Sequence, residues 1–174
     1  MASVWAYCYR YNNFTFNTKL HLMASIRISG KRKRIALVAH DNKKKDLIEW
    51  AEHNKIVLAR HELIATGTTG KLLEEKLDRP VMKMLSGPLG GDQQIGAMIA
   101  EGKIDVLIFF WDPMEAQAHD SDVKALLRLG VAWNILLACD RSTADFILTS
   151  PLMHDDYEIK LPDYSNYLKR KVSK

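Results

Sequence analysis

Ile104-Asp105-Val106-Leu107-Ile108-Phe109-Phe110 is the most apolar strand-like run of the chain, and it passes directly into Trp111-Asp112-Pro113. A strand apolar on both faces has no solvent side, so it belongs in a sheet covered by helices above and below. Outward from it the same alternation repeats. Strands are predicted over 34–39, 62–65, 81–85 and 135–138, and helices over 43–53, 70–77, 93–101, 123–131 and 143–148. Five βα units in succession predict the α/β class: a three-layer α/β/α architecture with a doubly wound, five-stranded parallel sheet. The tail from 157 to 174, with Pro162 inside it, is expected to pack as a closing helix.

The 174 residues are 47% hydrophobic and 26% charged, which suits one globular domain. The longest apolar runs, 35–39 and 106–111, fall far short of the roughly 20 residues that a membrane-spanning helix needs, so no membrane role is expected. Cys8 and Cys139 make neither a disulfide framework nor a metal-finger spacing, and a cytoplasmic location fits them. The net charge of +4 is unevenly placed: residues 1–40 hold seven Lys or Arg and no acid, leaving 18 basic residues against 21 acidic ones from Asp41 onward. A mildly acidic folded part lacks the basic footprint of a nucleic-acid binder, so no nucleic-acid partner is expected. Residues 1–30 show no periodic apolar stripe and are expected to be a poorly ordered extension foreign to the folded domain, which then spans 31–174. The extension lacks a secretory apolar segment, its lack of acids is weakly like a transit peptide, and Met23 is a candidate start. The charge run 31–34 is expected to be solvated.

Ligands of open α/β sheets bind beyond the carboxyl ends of the strands, so the strand exits are where chemistry is sought. In order they read His40-Asp41, Thr66-Gly67-Thr68-Thr69-Gly70, Ser86-Gly87-Pro88-Leu89-Gly90-Gly91-Asp92, Trp111-Asp112-Pro113 and Cys139-Asp140-Arg141-Ser142. Thr66 to Gly70 fits a phosphate cradle at a helix start, with Ser86, Gly87 and Lys44 as further contributors; a helix cap with turn glycines is the structural alternative. Neither the GxxxxGK[ST] nor the GxGxxG spacing is present. Asp92 follows two glycines at a helix start, where it is either a cap or a presented carboxylate. Asp41, Asp112 and Asp122 are expected on the same rim, and carboxylates crowded together push at least one pKa upward. His40 and His119 are available as proton carriers near neutral pH; a metal site is the alternative, on weak spacing.

The segments Ala36-Leu37-Val38-Ala39-His40-Asp41, Ala65 to Gly70, Leu85-Ser86-Gly87-Pro88 with Gly90 to Gln94, Phe109-Phe110-Trp111-Asp112-Pro113 and His119 to Leu129 together resemble the methylglyoxal synthase family, in order from about 34 to 169. The resemblance implies a cytoplasmic lyase that converts dihydroxyacetone phosphate to methylglyoxal and inorganic phosphate, with no metal and no organic cofactor, as a homohexamer inhibited by phosphate. Carried over by position, it implies Asp92 as the base, with His119, Asp122, His40 and Asp112 in the active site. It implies Lys44, Thr66, Thr68, Thr69, Ser86 and Gly87 as the contacts to the substrate phosphate. Ser121 and Leu136 stand where the family usually has Pro, and Asp140 where it usually has Asn, which would add a negative charge near the site. Abstraction of a proton α to a carbonyl by a carboxylate of ordinary pKa about 4 requires a stabilised enediolate, the part the resemblance leaves to His119 with Asp122 orienting it. A non-catalytic effector-binding domain of the same fold is the alternative, and it has no need of Asp92, His119 and Asp122 together.

Overall fold

The computed structural model describes residues 26–114 and 120–169. The chain enters with a short strand, β1 (Ile26–Ser29), and then runs β2 (Arg34–Ala39), α1 (Lys44–His53), a single turn α2 (Lys55–Leu58), β3 (Glu62–Ala65), α3 (Gly67–Leu77) and β4 (Met82–Lys83). It continues through α4 (Gly91–Ala100), β5 (Val106–Phe110), α5 (Asp120–Ala132), β6 (Leu136–Ala138), α6 (Arg141–Thr149), β7 (Tyr157–Lys160) and α7 (Ser165–Leu168).

Five strands form the predicted parallel sheet in the order β4-β3-β2-β5-β6. The chain builds one half outward from β2 and then returns to build the other half from β5, so the winding reverses beside β2. Alternation along β2 sorts its side chains into two cores. Ile35 and Leu37 pack with Leu47, Trp50, Leu73, Leu77 and Leu148 from α1, α3 and α6. Ala36 and Val38 pack with Ile95, Ile99, Val123 and Leu126 from α4 and α5. Every residue of β5 is buried, as a strand with helices on both faces requires.

Several local expectations are corrected. The strand expected over 81–85 is only two residues long: Met84 N–H still donates to the Ala65 carbonyl at 2.8 Å, and from there the chain turns past the start of α3, where the Leu85 carbonyl accepts from Gly67 N–H. Thr66 to Gly70 is not a loop ahead of a helix; Gly67 already opens α3 and Thr66 is its N-cap. The tail opens as a strand and keeps only a four-residue helix, α7: β7 pairs antiparallel with β1 in a separate two-stranded sheet, with Ile26 opposite Lys160 and Ser29 opposite Tyr157.

That pairing also moves the domain boundary, for 26–30 were expected to lie outside the fold. Arg27 donates to Asp105 Oδ1 at 2.7 Å, and Arg34 donates to the same carboxylate at 2.9 and 3.0 Å. Burial alone would raise the Asp105 pKa, but the hydrogen bonds and charge from Arg34 and the charge of Arg27 outweigh it and hold it below the usual carboxylate range. The run 31–34 is not wholly solvated either: Lys33 is 1% exposed, and its Nζ donates to the carbonyls of Ser29 and Asp155 at 3.1 and 2.7 Å. Residues 1–25, the rest of the expected extension, lie outside the described residues.

Candidate active site

A cavity of about 370 Å³ opens beyond the carboxyl ends of β2, β3 and β5, where the winding reverses. It brings together nine of the expected residues: His40, Asp41, Lys44, Thr66, Thr68, Thr69, Ser86, Gly87 and Asp92. Asp112 and Asp122 do not line it, and His119 lies outside the described residues.

On the threonine side of the cavity, the hydroxyls of Thr66 and Thr69 lie 3.5 Å apart, both buried. Thr66 stands at the N-cap of α3, yet its side chain makes no capping bond. The same is true of Ser86 at the start of the short 3₁₀ turn Gly87–Leu89. Capping therefore does not account for these hydroxyls, and the positive end of an eleven-residue helix is turned toward the cavity. Lys44, in the first turn of α1, supplies a cation and is bonded to Asp41 at 2.5 Å. Asp41, exposed on the rim of the same cavity, is the ion-pair partner of Lys44.

Asp92 is 6% exposed and is the second residue of α4, with Gly90 at the N-cap in a left-handed conformation, φ 101°. The capping alternative for Asp92 is thereby removed. Two glycines make its placement possible. A methyl group at Gly91 would lie 2.1 Å from the Leu85 carbonyl oxygen, and one at Gly87 would lie 3.1 Å from Asp92 Oδ2. The carboxylate therefore rests against the Gly87 backbone, in the cavity lined by the threonines.

Asp112 acts on the site through His40. Its backbone N–H donates to His40 Nδ1 at 3.2 Å, so a neutral His40 carries its proton on Nε2. The ring is also held edge-on by Phe109, with centroids 5.0 Å apart and planes at 81°. Met114 N–H and the Asn42 amide donate to the Asp112 carboxylate at 3.0 and 3.3 Å. Those bonds, with Lys43 and His40 nearby, hold the Asp112 pKa below its ordinary value, so Asp112 is not a carboxylate that the rim pushes upward. Asn42 and Phe109 were missed by sequence reasoning; the position of Asn42 directly after His40-Asp41 was the only available hint.

Asp122 borders a second cavity of about 280 Å³ between α4 and α5, and Asp92 borders both. Asp140 caps α6, accepting from Thr143 N–H at 2.9 Å, and does not line the main cavity, so its charge is spent on a helix end. Among the described residues no three His, Cys, Asp or Glu side chains form a metal-binding group, and no helix is long and apolar enough to cross a membrane.

Residues 46–139 match the family model described as an MGS-like domain. The chain is 58% identical over 149 residues to a methylglyoxal synthase of Sodalis glossinidius, covering 86% of this chain and 97% of that protein. It is also 58% identical over 140 residues to one of Proteus mirabilis, covering 80% and 92%. A crystal structure of methylglyoxal synthase from Elizabethkingia anophelis superposes with a TM-score of 0.82 at 60% identity, over 86% of this chain and 99% of that one.

Proposed function

The chain belongs to the methylglyoxal synthase family, lyases that make methylglyoxal from dihydroxyacetone phosphate, and we propose that in this chain Asp92 is the base of that reaction. The observation that carries the proposal is the single cavity in which the buried Asp92 carboxylate borders Gly87, beside the threonine hydroxyls and Lys44. A phosphate ester of three carbons has its reacting carbon only a few bonds from the phosphorus, so base and phosphate cradle must be neighbours.

In this mechanism Thr66, Thr68, Thr69, Ser86, Gly87 and Lys44 hold the substrate phosphate. Asp92 takes a proton from the hydroxymethyl carbon, and the C–H electron pair moves to form the enediolate, with negative charge on the former carbonyl oxygen. His119, oriented by Asp122, donates to that oxygen and moves protons between the two oxygens. The terminal hydroxyl then gives up its proton, its C–O bond becomes C=O, and the C=C pair shifts along the chain as the C–O(P) bond breaks. Inorganic phosphate leaves with that electron pair, and His40 donates to it from Nε2. The enol left behind takes a proton on its CH₂ and gives up its O–H proton, and so becomes methylglyoxal. Asp112 does not touch substrate; with Asn42 it positions His40.

An isomerase handling the same enediolate keeps the C–O(P) bond in the plane of the π system, whereas elimination requires it out of plane. The cradle therefore selects the product by fixing a torsion. We further propose the finer properties that the family resemblance implies: assembly as a homohexamer, inhibition by inorganic phosphate at the same cradle, no metal or organic cofactor, and a cytoplasmic location.

The test is incubation with dihydroxyacetone phosphate, with methylglyoxal and phosphate released in equal amounts. Asp92→Asn keeps the shape of the side chain and removes the base, and is expected to lower turnover by about 10²- to 10⁴-fold while phosphate still binds. Near-normal turnover in that variant would return Asp92 to a packing role.

A further inference from the structure

The peptide of Leu85 is where three segments of the cavity wall meet. Its carbonyl oxygen accepts from Gly67 N–H at 3.1 Å, which ties it to the start of α3 and the threonine hydroxyls. Gly91, the residue before Asp92, packs its bare Cα against the same carbonyl. The Leu85 N–H donates to the side-chain Oε1 of Gln94 at 2.8 Å. One residue further on, the Ser86 carbonyl accepts from Leu89 N–H at 2.9 Å and Gly91 N–H at 3.1 Å.

These contacts split into two kinds. The backbone bonds are set by the chain path and survive any side-chain substitution. The bond from Leu85 N–H to Gln94 is the side-chain link among them, and it joins the segment carrying Ser86 and Gly87 to the helix carrying Asp92. We propose that Gln94 is a positioning residue for the elimination: through Leu85 it fixes the separation between the phosphate-holding Ser86–Gly87 segment and the Asp92 carboxylate. The inference rests on the reading of Asp92 as base and Ser86–Gly87 as phosphate contacts.

The bond is solvent-exposed, so water replaces Gln94 as acceptor when the side chain is removed, and the fold is retained. What is lost is the constraint on where the segment sits. Misplacement of about 1 Å between reacting groups can lower a rate by about a hundredfold, so turnover is more sensitive to this bond than stability is.

The experiment compares Gln94→Leu, which has no acceptor, with Gln94→Glu, which keeps an acceptor oxygen at the same reach. Gln94→Leu is expected to lower kcat by about tenfold or more at saturating dihydroxyacetone phosphate, with an unchanged thermal midpoint. Substrate recovered from D₂O should then carry more deuterium, because the intermediate returns its proton before phosphate departs. Gln94→Glu is expected to keep kcat within about threefold of the parent; its added charge near an anion shows in KM. Should Gln94→Leu fail to fold, Gln94→Asn, one methylene too short to reach Leu85, is read in the same way. Parent values of kcat and deuterium content in the variants without a reaching acceptor, or an equal fall in Gln94→Glu, would overturn the proposal. Full activity in Asp92→Asn would instead overturn the assignment of the base, whatever Gln94 does.

Discussion

A hydroxyl at Thr68 can do two things to a phosphate ester: hold it, or hold it at a chosen angle. Thr68→Ala is expected to raise KM and also to leak intermediate, seen as glyceraldehyde phosphate among the products and deuterium in recovered substrate; a raised KM with unchanged partition would place the torsional control elsewhere. His61, at the other end of the sheet, gives a residue-scale prediction about pH. It is 1% exposed, its Nδ1 accepts from Lys33 N–H at 3.2 Å, and its ring stacks on His154. Burial, followed by the positive charge of His154, Lys33, Arg60 and Arg79, pushes its pKa down to about 4. Between that value and an ordinary histidine pKa of about 6.5 the unfolded chain binds the proton and the folded one does not, so stability rises with pH across this window and is lost on acidification. Denaturant unfolding at pH 7 and pH 5 should show the fall, and a shallower one in His61→Gln; equal slopes would place the acid sensitivity in other groups. The residue types at the strand exits were legible in the sequence because polar groups at the end of an apolar strand need a reason. The roles of Asn42 and Phe109 were not, because a hydrogen bond from Asn42 to Asp112 joins residues 70 apart, and an aromatic edge on His40 looks like ordinary core until the ring is placed.

At the scale of elements, β1 is the informative case. Its sequence, Ile26-Arg27-Ile28-Ser29, is too short to carry a periodic signal, and its partner β7 lies more than 120 residues away, so nothing local announced the pairing. What holds it is Arg27 on Asp105 together with the Lys33 bonds to Ser29 and Asp155. Removal of 1–25 is therefore expected to leave an active enzyme, since every proposed site residue lies at or beyond His40. Removal of 1–30 should lower the thermal midpoint, because β7 loses its partner strand and the Asp105 carboxylate is left with Arg34 alone. Equal midpoints for the two truncations would show that β1 contributes nothing to the fold. The helix starts were misplaced for a related reason: glycines at 67, 70 and 91 read as turn formers, whereas here they let helix ends approach neighbouring backbone and side chains closely.

For the whole molecule, the sheet and both helical layers were legible because double-sided apolar strands alternating with amphipathic helices admit few packings. Assembly was not legible from the residues alone, because an interface is written in which apolar side chains stay outside. Phe146 at 79% exposed, Val131 at 72% and Leu89 at 71% are such side chains. Sedimentation is expected to give a mass of about six 19.9 kDa chains, and Phe146→Asp a smaller species; a monomeric parent would refute the hexamer. The sheet also has a direction. The Arg27–Asp105–Arg34 cluster and His61 gather at the amino ends of its strands, and the cavity lies at the carboxyl ends. Inheritance would see this as two separate kinds of lesion: substitutions at one end of the strands are expected to change how many enzyme molecules a cell keeps, and substitutions at the other how fast each one works.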